Sequence, residues 1–409
     1  MRRLPSFALL AGLLLVSCAK PAPPPASNGR SVSIDRQAEC DSAVVSNDAL
    51  AVRPRSLEHL SSYPMTAEVV FPLPPRGGYD LGTGRYLMID PSGPAVVAID
   101  NYGSERVRWG QKGSGPGDLF ILPWYRPGHS VAALGDELLI FDMYRLSQFD
   151  REGHFRDLVK IADNPSALLP GASIVTLTDS TALLGVVQSR ISTDTSFESR
   201  IATRFYQVHS AAPTLRSDTL PYTLASSSRY AGGFKPGGFK FYDAFTFEMG
   251  ETWTVSRGGL FAVSFAEFGI CRLDPLSGIV QGVARVGVER RRTTNAERIA
   301  LHEQSPGMDE TNPDGSNFGA EMDAHWPATT PWYMALVGGD SLVAASRSVT
   351  RTEDQVDFFD GPSYLGSVSV RRGWFLSVLA ITGDSLLRLE RDTATDEFAM
   401  AWYRLGPPP

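Results

Sequence analysis

Six times along this 409-residue chain, a Gly or Asp turn is followed by a short apolar run. The copies read GRYLMID from Gly84, GDELLIFD from Gly135, DSTALLGVV from Asp179, GGLFAVS from Gly258, GDSLVAA from Gly339 and GDSLLRL from Gly383. A recurrence of this kind means one small unit packed against copies of itself, which prunes the possible folds more than any other feature of the chain. In several copies a second pattern follows: an apolar run ending in Asp, a turn of two or three residues, then Gly and another run. It leads to Gly103, Gly153 and Gly278, and in shortened form to Gly361. Asp and Gly around a short connection between alternating runs signal an antiparallel hairpin. Successive copies begin 51, 44, 79, 81 and 44 residues apart. The short intervals hold four short strands each, and the two long ones carry inserted segments.

The spacing predicts an all-β fold over residues 60–405: a six-bladed β-propeller of four-stranded antiparallel blades. One helical or loop insertion is expected near 289–330, with a helix read from Asn295. The 38 glycines and 29 prolines suit many strands and turns better than long helices. The last copy supplies too few strands for a blade, and TAEVVFPLP, residues 66–74, is the expected closing strand.

RWGQKGSGPGDLFILP, residues 108–123, carries Gly110, Gly113, Gly115 and Gly117. A phosphate loop needs Lys and then Ser or Thr after its last glycine, with a helix behind. Here Asp118, Leu119, Phe120 and Pro123 follow instead. The stretch resembles the connection between blades in NHL-type six-bladed propellers, where Gly and Pro carry the chain from one blade to the next. GGFKPGGF, residues 232–239, repeats its Gly-Pro-Gly spacing and is expected to do the same.

The first seventeen residues read as a signal peptide: Arg2 and Arg3, then ten apolar residues from Phe7 to Val16, too few to span a bilayer. Leu15-Val16-Ser17-Cys18 resembles a bacterial lipobox, which implies lipid on Cys18. Lys20 after it, by the sorting rule of lipoproteins, implies the outer membrane of the cell envelope. Residues 18–55 are expected to be a Pro-rich tether and N-terminal segment, with ordered structure starting between 55 and 66. Cys40 and Cys271 remain, and under oxidising conditions they either pair or stand as isolated thiols. The net charge of −7, which becomes −9 without Arg2 and Arg3, argues against nucleic acid and against a polybasic grip on anionic lipid.

Candidate ligand-binding residues concentrate in the insertion. Glu310, Asn312, Asp314 and Glu321, around Gly315, have the spacing of an EF-hand loop, which makes calcium a candidate ion beside the reading of a solvated acidic turn. Asp323 and His325 are a second candidate pair. Arg290, Arg291, Arg292, Trp326 and Trp332 form a candidate recognition surface, since Arg and aromatic residues are enriched at interface hot spots. Neither a zinc motif nor a nucleophile elbow is present. The expected function is therefore a lipid-anchored binding module that needs no cofactor, for an envelope protein or small ligand. The alternative is a metal-dependent enzyme, since similar propellers include lactone hydrolases and amidating lyases with a metal in the central channel.

Overall fold

The computed structural model describes residues 33–65, 77–80, 82–90, 95–111, 113, 115–119, 131–142, 145–161, 172–189, 201–211, 214–225, 230–235, 238–243, 252–289, 291–292, 294–296, 333, 335–349, 353–371, 378–391 and 397–407. An N-terminal strap comes first: β1 (Ile34–Asp35), α1 (Gln37–Val45), β2 (Ala49–Leu50) and β3 (Leu57–Pro64). Blade one is β4 (Gly77–Asp80), β5 (Arg85–Asp90), β6 (Ala95–Asp100) and β7 (Glu105–Trp109). Blade two is β8 (Val131–Leu134), β9 (Glu137–Asp142), β10 (Arg145–Asp150) and β11 (Phe155–Lys160). Blade three is β12 (Ala172–Thr178), β13 (Thr181–Ser189), β14 (Ile201–Ala211) and β15 (Thr214–Ala225). A hairpin, β16 (Tyr230–Lys235) and β17 (Gly238–Asp243), precedes blade four: β18 (Trp253–Ser256), β19 (Gly259–Val263), β20 (Gly269–Leu273) and β21 (Val280–Val286). Blade five is β22 (Ala335–Gly338), β23 (Val343–Ser348), β24 (Glu353–Asp360) and β25 (Ser363–Arg371). Blade six is β26 (Val378–Thr382), β27 (Ser385–Arg391), β28 (Phe398–Leu405) and, from the other end of the chain, β3.

The first strands of the blades touch in succession, β4 to β8, β12, β18, β22, β26 and back to β4, so the ring is closed. This is the six-bladed propeller expected from the repeat. Its core is not one body but six layers, one between each pair of neighbouring blades. Leu87 and Ile89 pack toward blade two, whereas Tyr86 and Met88 pack toward blade six. Alternation sends successive residues to opposite neighbours. A strand buried on both faces must then read as a continuous apolar run, as LMI and LLIF do.

The strap departs from expectation. The described body begins at Ser33, not between 55 and 66. β1 pairs in parallel with β15, and β2 pairs in parallel with β21. Arg53 and Arg55 then exchange backbone hydrogen bonds with Ser367 of β25, at 2.8 and 2.7 Å. A disulfide joins Cys40 of α1 to Cys271 of β20 (Cα–Cα 5.8 Å), and both residues are fully buried. Gln37 donates from its side chain to the Val263 carbonyl, and Asp41 accepts from the Phe265 backbone N–H. The strap thus seals the outer edges of blades three, four and five, which otherwise present unpaired backbone groups. It then ends as β3 on β28. Ring closure therefore belongs to Leu57–Pro64 and not to residues 66–74, which lie outside the described residues.

The glycine-rich connector after β7 folds around its own aspartate. The Asp118 carboxylate accepts from the Gly115 N–H (2.9 Å) and from the Gln111 side chain (2.8 Å). Leu119 is buried between blades one and two. Among the described residues, the Gly115 N–H is taken by Asp118 and the Gly113 N–H by the Leu119 carbonyl, so neither is left for a phosphate. GGFKPGGF behaves differently: it forms the β16–β17 hairpin, with Phe234 opposite Phe239, rather than a second connector of this kind.

The Asp-turn-Gly motif has a physical cause. Asp100 accepts the N–H groups of Tyr102 and Ser104, and Asp150 those of Glu152 and His154. Asp274 accepts those of Leu276 and Ser277. Each carboxylate therefore builds its turn. In two of these turns the glycine also lets the turn lie on an aromatic ring of the preceding blade. A Cβ on Gly153 would stand 2.5 Å from Trp109, and one on Gly278 would stand 2.6 Å from Tyr222.

Candidate functional site

Each innermost strand sends two or three residues to the central channel. The lining runs from Gly77–Tyr79 through Val131–Ala133, Ile174–Thr176, Thr254–Val255 and Val337–Gly339 to Leu379–Ile381. The cavity they enclose measures about 130 Å³. That is room for several waters, against the roughly 300 Å³ or more of an ordinary small-molecule site. The described lining is alkyl and backbone with three hydroxyls, and holds no carboxylate, imidazole or thiol. Two of those hydroxyls are engaged: Tyr79 donates to Asn101 (2.9 Å), and Thr176 donates to the Ala133 carbonyl (2.7 Å). Burial raises the Tyr79 pKa, so this phenol is no general base at neutral pH.

Among the described residues, one cluster has metal-ligand composition: Asp150, Glu152 and His154, with ligand atoms within 4.8 Å of one another. No motif reading singled it out, because the three residues are simply one hairpin turn of blade two. The Asp150 carboxylate already accepts the two backbone N–H groups of that turn, the His154 Nδ1 (3.0 Å) and Arg156 (2.8 Å). The equivalent Asp100 is occupied in the same way, with Arg106 as its cation. The cluster is therefore a turn lock repeated between blades.

Two buried ion pairs brace connecting segments, one at the glycine-rich connector and one where the chain returns from the insertion. Asp142 and Arg145 pair at the β9–β10 end of blade two, and Arg145 also donates to the Asp118 carbonyl (3.0 Å). In blade five, Asp357 accepts from Arg347 Nε (2.9 Å), the Tyr333 hydroxyl (2.9 Å) and the Tyr364 hydroxyl (3.3 Å). Burial pushes the Asp357 carboxyl up, and the Arg347 guanidinium draws it back part of the way. Burial likewise pushes the Tyr333 phenol up, with the neighbouring Asp357 adding to the shift. These groups hold Tyr333 where the chain returns from the insertion. At the other end, the Gly287 N–H donates to the Leu50 carbonyl of the strap (2.9 Å).

Of the residues singled out from sequence, Arg291 and Arg292 follow the outer strand of blade four. Arg292 is exposed, and its carbonyl accepts from Arg291 (3.3 Å). Arg290, Trp326, Trp332, Asp323, His325 and the candidate calcium ligands Glu310, Asn312, Asp314 and Glu321 lie outside the described residues, as do Cys18 and nearly all of the helix read from Asn295.

No protein-family model matches the sequence, and no curated protein matches it. Solved structures with a similar chain path include a candidate exported protein from Bacteroides fragilis, 11% identical, with 88% of this chain and 99% of that one covered and a TM-score of 0.49. A DUF4221 family member from Bacteroides vulgatus is 12% identical over 86% of this chain and 98% of that one, with a TM-score of 0.49. A calcium-binding protein, regucalcin, from Agrobacterium tumefaciens is 14% identical over 88% and 97%, with a TM-score of 0.37.

Proposed function

We propose that this chain is a lipid-anchored propeller of the cell envelope that works as a binding module, with its recognition surface on the insertion after blade four. The lining of the central channel carries the choice of binding over catalysis. All six blades contribute to it, and the described groups are alkyl chains, backbone and three hydroxyls, two of them engaged. Such a described lining offers no carboxylate to neutralise a hard cation and no base poised for proton transfer. The insertion, by contrast, leaves and returns through fixed points at Gly287 and Tyr333. A long loop on a rigid scaffold is where binding residues concentrate. Export is supported by the Cys40–Cys271 disulfide, since such bonds persist in oxidising compartments. The lipid is read from the Cys18 motif alone.

One experiment tests both parts. Wild type, Cys18→Ser and a version with residues 293–325 replaced by a short Gly/Ser linker are expressed in a Gram-negative host fed labelled palmitate. Cys18→Ser is expected to lose the label. The shortened protein is expected to keep the label and its melting point but lose the envelope partners cross-linked by wild type. Equal labelling of Cys18→Ser overturns the anchor, and an unchanged set of cross-linked partners overturns the recognition surface.

A further inference from the structure

The described residues expose six large apolar side chains, and three of them gather at one place. Ile34 is 45% exposed, Leu276 46% and Ile279 53%. Ile34 is paired with Tyr222, and Leu276 and Ile279 belong to the turn whose Pro275 and Gly278 meet Tyr222, which is itself fully buried. Ile34 is the Cα partner of Tyr222 in the parallel β1–β15 pair, so both side chains project from the same face of the sheet. The Tyr222 hydroxyl donates to the Pro275 carbonyl (2.7 Å), and Gly278 lies against its ring. The blade-four turn that bears Leu276 and Ile279 is thus fixed beside Ile34.

The place matters because the described body begins one residue earlier, at Ser33. Fourteen residues, 19–32, separate that point from Cys18. Fully extended, they reach no more than about 50 Å. We infer that the Ile34–Leu276–Ile279 patch rests on the lipid surface to which the chain is anchored, an inference that takes the lipid on Cys18 as given. A tether this short holds the patch near the bilayer at an effective concentration far above that of free protein. One apolar patch then suffices where it would be too weak alone.

The charges beside the patch are compatible with lipid. The Asp35 carboxylate accepts the Gln37 N–H (3.0 Å), Asp274 is taken up by its own turn, and Arg36 is paired with Glu39. The acidic chain has no polybasic stretch to grip anionic headgroups, which leaves apolar contact as the attraction. Tyr102, 58% exposed on the equivalent turn of blade one, stands three blades around the ring from blade four and serves as the comparison.

The test uses full-length lipidated protein on vesicles of phosphatidylethanolamine and phosphatidylglycerol, with brominated or plain acyl chains. Leu276→Trp and Tyr102→Trp each add one indole to the wild-type emission, and indoles settle at the lipid interface when it is available. The emission added at position 276 is expected to fall by about half or more in brominated vesicles, while that added at 102 stays unchanged. Ile279→Trp repeats the measurement should Leu276→Trp melt below wild type. Vesicles that float with protein but quench neither 276 nor 279 overturn the inference, as does equal quenching at 102. A patch covered only in whole envelopes, and not on pure lipid, assigns it to a protein partner and likewise overturns the inference. Failure of the wild type to float with vesicles removes the lipid anchor itself, a distinct result.

Discussion

Breaking the Cys40–Cys271 bond should cost this protein more than any surface contact would. The bridge closes a loop with a sequence separation of 231 residues. In the chain-entropy account, cross-linking a loop of that length removes about 18 cal/mol/K from the unfolded state, or about 5 kcal/mol at 25 °C. That is a ceiling, because residual structure in the unfolded chain lowers it. Urea unfolding followed by tryptophan emission is the assay, since Trp253 packs in the same core layer as both cysteines. Oxidised wild type is compared with wild type reduced in urea and refolded, and with the Cys40→Ala/Cys271→Ala pair. The reduced and Ala forms should agree with each other and lie several kcal/mol below the oxidised form. Their urea slope should also be steeper, because an uncrosslinked chain exposes more surface on unfolding. Both sulfurs are fully buried, so native protein in dithiothreitol should lose the bond only as fast as the strap opens. A difference below about 1 kcal/mol with an unchanged slope would refute the loop-closure reasoning, which requires both to move.

Two further outcomes follow from the turns. Gly278→Ala places a Cβ 2.6 Å from the Tyr222 ring at φ 71°, whereas Gly361→Ala, at φ 58°, meets nothing within 4 Å. By thermal melting, Gly361→Ala should therefore cost only the left-handed backbone penalty of about 1–2 kcal/mol, and Gly278→Ala about 2–5 kcal/mol once overpacking is added. Equal losses would show that the ring does not fix the turn. The Ser277 backbone N–H, with the Ser277 hydroxyl and the Leu276 N–H, holds the Asp274 carboxyl below its usual pKa. Its contribution to stability is then present above about pH 4 and lost as pH falls through the lowered folded value. Asp274→Asn should flatten the loss of stability as pH falls below about 4; an unchanged acid limb would place that loss elsewhere.

The blades were legible because a strand packed on both faces must be apolar throughout, and Asp with Gly at a fixed offset builds one kind of turn. The outermost strand obeys neither constraint. LEHLSSYP of β3 has exposed and half-exposed positions only, so its sequence looks like a loop beside the more apolar TAEVVFPLP. The strap was hidden for a similar reason: α1 buries only Gln37, Cys40 and Val44. Its hold comes from a disulfide and from polar bonds such as Gln37 to Val263, which leave no periodic trace. GGFKPGGF misled because Pro and Gly serve a hairpin and a connector equally well. The composition of the channel was not readable at all, since its residues come from six strands spread over some 300 positions.

The order in which the pieces of blade six are made bears on the export proposed above. Glu58 of β3 and Arg404 of β28 meet across 346 residues. A chain that crosses a membrane N-terminus first delivers β3 early and leaves it without its neighbour until β28 has also emerged. For that whole interval the ring stays open, and blade six cannot be completed on the near side of the membrane while β3 is on the far side. Contacts this distant in sequence are also slow to form, because the loop between them must close first. For the exported protein proposed above, a closing strand near the start of the chain would leave ring closure waiting until β28 has also arrived.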